Sequence, residues 1–321
     1  MNTTHESIVL VGGGGGVYRI ARFLKFSRPN ITTIQTMFDR GRHSGQLRDE
    51  RGVLPAGDIR QAILALADDN TEHVLRQLLA YRFPDVKDSS LNGATVGNIL
   101  IAALTDITGS LPSAINVLCE WYGVKGKVLP VSLDHADLVV KLSDGLVLKG
   151  EGNIDTRPIA DPRSISAAYL EPEAHLYDCA HEALMKADKI IFCPGDLFTS
   201  MIPNVLVKGF AEAVQESPAQ LIYIVNAMTK KSETHEFTAS RFASTLLQYL
   251  SLRKFDVIIC NNNVFGAETL ERYKQELSFP VYIDLQPLRE LTDNLIVEKI
   301  AEEVGGIIRH TPRTASIIAS L

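Results

Sequence analysis

The chain has 321 residues, about twice the common size of one domain, so one large α/β domain with insertions or two modest domains would both fit. With 45% hydrophobic and 22% charged residues it has the composition of a soluble globular protein, which excludes collagen-like repeats, a coiled coil and wholesale disorder. A net charge of −6, from 32 basic and 38 acidic residues, offers no global field for a polyanion, so nucleic acid and anionic membrane are not expected partners.

Ile8 to Val11 is a β-branched run ending in five consecutive glycines, Gly12 to Gly16, and a helical pattern through Arg19, Phe23 and Phe26 follows. The first residues lack the basic and then apolar order of a signal peptide, and no apolar run reaches the ~18 residues of a membrane span. The expected location is the cytoplasm. Ile31 to Met37 reads as a second strand, ending in the polar stretch Asp39 to Gly45. Residues 52–122 read as a helical insertion: Asp58 caps a helix through Leu66, Glu72 to Tyr81 forms another, and Thr95 to Leu104 a third.

Residues 128–170 read as a β-rich insertion, with strands at Val128 to Leu133, Leu138 to Leu142 and Leu146 to Lys149 and a turn at Ser143-Asp144-Gly145. From Glu173 to Lys186 the pattern is helical and carries His175 and His181, six apart and so on different faces. Strands Lys189 to Phe192, Leu221 to Val225, Val257 to Cys260 and Val281 to Ile283 then alternate with helices Asn204 to Gln215, Ala239 to Tyr249 and Ala267 to Gln275. The tail from Asn294 reads as mostly helical. Parallel returns need crossovers, so this alternation predicts one Rossmann-like α/β domain over residues 1–321, a mostly parallel sheet with helices on both faces plus the two insertions.

In such sheets ligands bind beyond the carboxyl ends of the strands. The glycines Gly12, Gly13, Gly14, Gly15 and Gly16 leave backbone N–H groups open at a helix N-terminus, which suits a diphosphate; a tight turn without a ligand is the plainer alternative, at a high entropic cost. G-x-G-x-x-G fails in every register and no G-K-[ST] follows, so neither a nicotinamide dinucleotide site nor a P-loop is indicated. Asp39, about 20 residues beyond the glycines, is placed to accept from a ribose or to hold a metal, or is simply solvated. Arg40, Arg42, Arg48 and Arg51 crowd the same loop as phosphate forks or as a solvated basic face.

Small and hydroxyl residues after the later strands mark a second anion-binding turn, with Gly195, Asp196, Thr199 and Ser200 in one loop and Asn226 and Thr229 in the next. No nucleophile, base and oxyanion set can be assembled, so catalytic residues stay unassigned. The cysteines, Cys119, Cys179, Cys193 and Cys260, are too dispersed for a zinc site or a disulfide framework. No set of metal ligands is read from the spacing.

Several segments together resemble the YvcK/CofD family (UPF0052), nearer its YvcK branch, over almost the whole chain. They are Gly12 to Gly14, Gly52 to Arg60, Gly97-Asn98 with Ala102 to Gly109, Pro194-Gly195 with Thr199 to Asn204, and Asn226 to Thr229 with Glu233-Thr234. The resemblance implies a Rossmann-like fold binding a nucleotide diphosphate derivative. On the YvcK branch that ligand is a UDP-sugar such as UDP-N-acetylglucosamine, and the role is regulatory, tied to gluconeogenic growth, cell wall and cell shape. The CofD branch transfers a phospholactyl-type group from a guanosine diphosphate donor to a deazaflavin acceptor with Mg2+, so a cofactor is expected only on that alternative.

The resemblance also adds Asp58, Asn98 and Asn204 to the ligand-binding set, together with Tyr273 and Arg309 at positions similar to a tyrosine and an arginine that contact the UDP-sugar. A homo-oligomer is expected because it is common among cytosolic α/β proteins. The chain departs from the family pattern around this site: Arg40 replaces an aspartate, Gly15 a threonine, Ala94 a histidine, Cys193 and Asp196 a glycine and a serine, and Ser232 a glycine.

Overall fold

A computed structural model describes residues 6–28, 30–38, 54–71, 73–86, 89, 91–158 and 161–321. Strand β1 (Ile8–Gly12) is buried along its whole length, as a continuous apolar run must be when helices cover both sheet faces. Helix α1 (Gly14–Leu24) buries Val17, Ile20, Ala21 and Leu24, spaced three and four apart on one stripe, and the chain returns parallel to β1 as β2 (Ile31–Gln35). Burying Ile20 or Leu24 contributes roughly 1.5–3 kcal/mol each.

Among the described residues four helices follow: α2 (Gly57–Leu66), α3 (His73–Ala80), α4 (Val96–Thr108) and α5 (Leu111–Trp121). Gly109 ends α4 in the left-handed region at φ 81°, and Ser110 caps α5 by accepting from the Ser113 amide. Strand β3 (Lys127–Pro130) then pairs with β2 in the main sheet. A separate antiparallel sheet of order β5-β4-β6 is built from β4 (Asp137–Leu142), β5 (Val147–Lys149) and β6 (Ile165–Glu171), with the short α6 (Glu151–Asp155) between the last two.

The second half adds α7 (Asp178–Met185), β7 (Lys189–Phe192), one π-helical turn at Leu197–Met201, α8 (Ile202–Val205), α9 (Phe210–Glu216), β8 (Gln220–Ile224), α10 (Ala239–Leu250) and β9 (Phe255–Asn261). It closes with α11 (Ala267–Gln275), α12 (Leu285–Glu290), β10 (Thr292–Glu298), the hairpin β11 (Ala301–Val304) and β12 (Ile307–His310), and α13 (Pro312–Ser320). The main sheet has the order β10-β9-β8-β7-β1-β2-β3 and is parallel throughout. From β1 the chain winds outward to β2 and β3, then crosses back to β7 and winds the other way. The seam between β1 and β7 is therefore the topological switch point, where a crevice opens beyond the strand ends.

This is the α/β architecture expected, with six corrections of detail, the first being that the strand expected at Val128 to Leu133 within the β-rich insertion is β3 of the main sheet. The tail from Asn294 is mostly strand: β10 completes the main sheet, β11 and β12 form a hairpin around Gly305-Gly306, and only α13 is helical. Val281 to Ile283 is no strand, because β10 holds the edge of β9; residue 282 makes only an isolated bridge to Thr238. Helix 204–215 is broken at Gly209 (φ 91°) into α8 and α9. His175 precedes α7, where its backbone amide donates to Asp134 at 2.7 Å. Asp58 is not the cap of α2, since Ala56 is; it sits inside the first turn, where its charge still favours the N-terminal dipole.

Among the described residues no single helix is long and apolar enough to cross a membrane; α4 and α5 reach that length only together and meet at 119°.

Candidate functional site

The crevice at the switch point is a cleft of about 480 Å³. Gly15, Gly16 and Arg19 of α1 and the loop Pro194 to Asp196 after β7 form one side, and Asn226 to Lys231 after β8 form the floor. Tyr273 and Glu276 at the end of α11, with Ile307 to His310 of β12, form the other side.

The glycine run serves two ends at once. Gly14 opens α1 at φ 60°, a left-handed conformation that other residues resist, and a Cβ on Gly16 would overlap the Pro194 carbonyl oxygen. Gly15, in contrast, has nothing within 4 Å of where its Cβ would stand. The N-cap of α1, Gly13, has no side chain to cap with and the Asp58 carboxylate lies against it, while Gly15 in the first turn faces open space.

The loops around it are tied together. The Gly195 amide donates to Asn226 Oδ1 at 3.3 Å, and Asn226 Nδ2 donates to the Gly195 carbonyl at 2.7 Å. Asn204, fully buried, donates from Nδ2 to the carbonyls of Gly12 at 3.3 Å and Ser200 at 2.8 Å, which joins the glycine loop to the π turn. Thr229 accepts from the Phe279 amide at 2.9 Å.

Lys230 gathers three carboxylates from three segments: Asp155 at 2.6 Å, Asp196 at 2.7 Å and Glu233 at 3.0 Å. Glu233 is fully buried and also accepts from the Phe198 amide at 2.7 Å, the Thr199 amide at 3.3 Å and the Thr199 hydroxyl at 2.7 Å. Burial alone pulls the Lys230 ammonium down, but Glu233, then Asp196 and Asp155, more than reverse this and hold it charged. For Glu233 burial first and Asp196 second push the carboxyl up, against the pull of Lys230 and Thr199.

The cleft is cationic where α1 comes near β12. Arg19 and Arg309 both line the cleft, and neither forms an ion pair with a described carboxylate; one Arg309 amine donates to the Val304 carbonyl at 2.8 Å, while its Nε is buried without a partner. Burial and then the Arg309 charge push the Arg19 guanidinium below its ordinary value, with Tyr18 and Glu302 offsetting only part. His310, 8% exposed, has an unpartnered Nδ1, and burial followed by Arg19 pushes its imidazole down to about 4. Two guanidiniums without a described ion-pair partner thus share the cleft with the first turn of α1.

Of the expected residues, Gly15, Gly16, Gly195, Asp196, Asn226, Thr229, Tyr273 and Arg309 line this cleft. Gly12, Gly13 and Gly14 underlie it, and a Cβ on Gly13 would meet the Asp58 carboxylate, so Asp58 lies directly beneath the loop. Thr199, Asn204 and Asn98 are buried, and neither they nor Ser200 are among the described lining residues; Thr199 and Asn204 spend their polar atoms on the loop framework. Asp39 and Arg40, like Arg42, His43, Arg48 and Arg51, lie outside the described residues. Sequence reading missed Arg19, Lys230, Glu233 and His310 as site residues. Only Glu233 carried a signal, in the segment Asn226 to Thr234.

Magnesium enters only with the transferase alternative. Among the described residues no group of three His, Cys, Asp or Glu side chains is arranged to hold a metal ion; of the lining carboxylates Asp196 and Glu276, Asp196 is paired with Lys230. Asp39, the acid placed by the sequence to hold one, lies outside the described residues, and no step is assigned to a cation.

Comparison with known proteins agrees with this architecture. The family model described as 2-phospho-L-lactate transferase CofD matches residues 8–301. A relative from Thermoanaerobacterium thermosulfurigenes is 38% identical over 94% of this chain and 92% of its own. The Gluconeogenesis factor of Bacillus subtilis is 35% identical over 98% of this chain and 97% of its own. The crystal structure of a protein from Bacillus halodurans superposes with a TM-score of 0.92 at 32% identity, covering 99% of this chain and 100% of the other. A parallel sheet with its cleft at the β1–β7 seam, a family match across most of the chain and relatives alike over nearly their full length converge on one assignment: the chain belongs to the CofD (UPF0052) family, on the branch of the gluconeogenesis factors.

Proposed function

We propose that the protein binds a nucleoside diphosphate derivative of the UDP-N-acetylglucosamine type in this cleft, as a cytosolic regulatory factor that ties gluconeogenic carbon metabolism to cell wall and cell shape. The observation that carries the binding is the pairing of Arg19 and Arg309, unmatched by described carboxylates, with the open N-terminus of α1 at Gly15. A diphosphate there would receive backbone N–H groups and the Arg19 guanidinium from α1 and the Arg309 guanidinium from β12. Tyr273, whose hydroxyl accepts from the Ile308 amide at 3.1 Å, stands at the far wall with its ring available to a base or sugar. The regulatory half of the reading is supported by the name of the Bacillus subtilis relative.

The description of the family model favours a second reading, a transferase moving a phospholactyl-type group from a guanosine diphosphate donor to a deazaflavin acceptor. Calorimetric titration with UDP-N-acetylglucosamine and with GDP, each with and without Mg2+, separates the two. Uridine binding that needs no metal supports the regulatory reading. Metal-dependent guanosine binding, with product release on adding acceptor, transfers the assignment to the enzyme, and silence with both ligands removes the cleft as a nucleotide site.

A further inference from the structure

His310 stands out because the wall it belongs to is cationic and the ring itself satisfies nothing. It lines the cleft, is 8% exposed, and leaves Nδ1 buried without a partner. Polar and charged groups stand on the elements around the cleft wall that holds it. From α1 come Arg19 and, nearly a turn on, Arg22, which donates to the Tyr18 hydroxyl at 3.1 Å. From β12 itself comes Arg309, and from β11 comes Glu302, opposite Arg309 in the ladder. Helix α11 carries Tyr273, with the carboxylate of Glu276 at its end also lining the cleft, and α13 carries Arg313, which is paired with Glu298 at 2.6 Å.

Without a ligand, the balance of this group holds the imidazole neutral. Burial removes the water that would solvate a charged ring, and the Arg19 guanidinium repels a second positive charge. An anion seated between Arg19 and Arg309 reverses the sign of the field at the ring. It neutralises the guanidinium that opposed protonation and puts an acceptor where there was none.

We propose that His310 takes up a proton as the anionic ligand enters the cleft, so that occupancy of the site is coupled to pH. The inference rests on the diphosphate reading above and deepens it: the site reports ligand concentration and acidity together. By linkage, the ligand is held more tightly as pH falls, because the bound form of the protein carries the extra proton.

The test is calorimetry of the full chain with UDP-N-acetylglucosamine, whose diphosphate diester does not itself titrate in the range used. Heats measured in buffers of different ionisation enthalpy count the protons exchanged on binding. If the bound imidazole returns to an ordinary histidine pKa, affinity rises about tenfold between about pH 7.5 and about pH 5.5, with net proton uptake through that window. In His310→Gln and His310→Asn the uptake disappears and affinity no longer follows pH. If neither variant folds, the proton count on the unaltered chain still decides. Binding without proton exchange and with equal affinity at both pH values overturns the inference and leaves the ligand reading intact, as does uptake that persists in a folded His310 variant. No binding at any pH takes down both.

Discussion

Gly16 stands against the carbonyl oxygen of Pro194 so closely that a Cβ has no room, while Gly15, its chain neighbour, faces the empty cleft. One residue keeps two strand exits in contact and the other keeps a ligand path clear. Gly16→Ala must push α1 or the β7 loop aside and is expected to lose about 2–4 kcal/mol in urea unfolding. Gly15→Ala is expected to unfold at the same urea concentration or slightly higher, with a gain of up to about 1 kcal/mol from chain entropy. It should nonetheless weaken UDP-N-acetylglucosamine at least about tenfold, because the methyl group stands where phosphate oxygens approach helix N–H groups. A Gly15→Ala protein that binds normally would remove the glycine loop from the ligand site.

Lys230 and Glu233 form a pair whose parts depend on each other. Lys230→Met leaves a fully buried carboxylate beside Asp196 and is expected to cost about 3–5 kcal/mol. Glu233→Gln keeps the volume but turns an amide toward the donors of Phe198 and Thr199, at about 2–3 kcal/mol. The double variant should be less damaged than the sum by at least about 1 kcal/mol, since removing both charges leaves none of that pair stranded. A double-mutant cycle in urea that adds within error would mean the two are not coupled.

His310 also predicts how stability follows acidity in the unliganded protein. Its folded pKa, pushed down to about 4 by burial and then Arg19, lies below the value of about 6.5 in an unfolded chain. Between those values the unfolded chain binds more protons, so stability rises with pH through the window and is full above it. Acidification from about pH 7 to about pH 4 should remove roughly 3 kcal/mol on this account. His310→Gln should flatten that part of the urea midpoint against pH; an unchanged slope would mean that another group titrates.

Arg19→Ala and Arg309→Ala separate binding from folding. Each should weaken UDP-N-acetylglucosamine about tenfold or more, by loss of a charge-assisted contact. Each also relieves the repulsion between two guanidiniums, so stability should stay within about 1 kcal/mol of the unaltered chain. Unchanged affinity in a folded Arg309→Ala protein would sink that residue's assignment.

The β1, glycine loop, α1 unit and the strands at 189–192, 221–225 and 257–260 were legible because parallel strands buried on both faces announce themselves as short apolar runs between helical stripes. The last strand was misplaced because residues 281–283 and 292–298 offer similar β-branched runs, and only pairing with β9 chooses between them. Gly305-Gly306, at φ 60° and 73°, is a hairpin turn that the sequence did announce, and it went unread in a tail taken for helix. At the site, glycines and asparagines after strands were readable as types at fixed offsets. Arg19, Lys230 and His310 were not, because each owes its chemistry to burial and to partners on distant segments, which no local pattern encodes.

The two sides of the cleft are anchored unequally. The glycine side grows from β1 and β7, at the middle of the main sheet, and is pinned by Asn204 and Asn226. The β11–β12 hairpin shares no ladder with that sheet; the Tyr273 hydroxyl accepts an amide from it, and Glu303 reaches from it to Gly266 and Thr269. The cleft thus resembles a calliper with one jaw grown from the sheet and the other attached to it through side chains. A molecule held across it would bridge the middle of the main sheet and a hairpin hung from the exit of β9, where Asn261 accepts from the Ala301 amide at 2.9 Å.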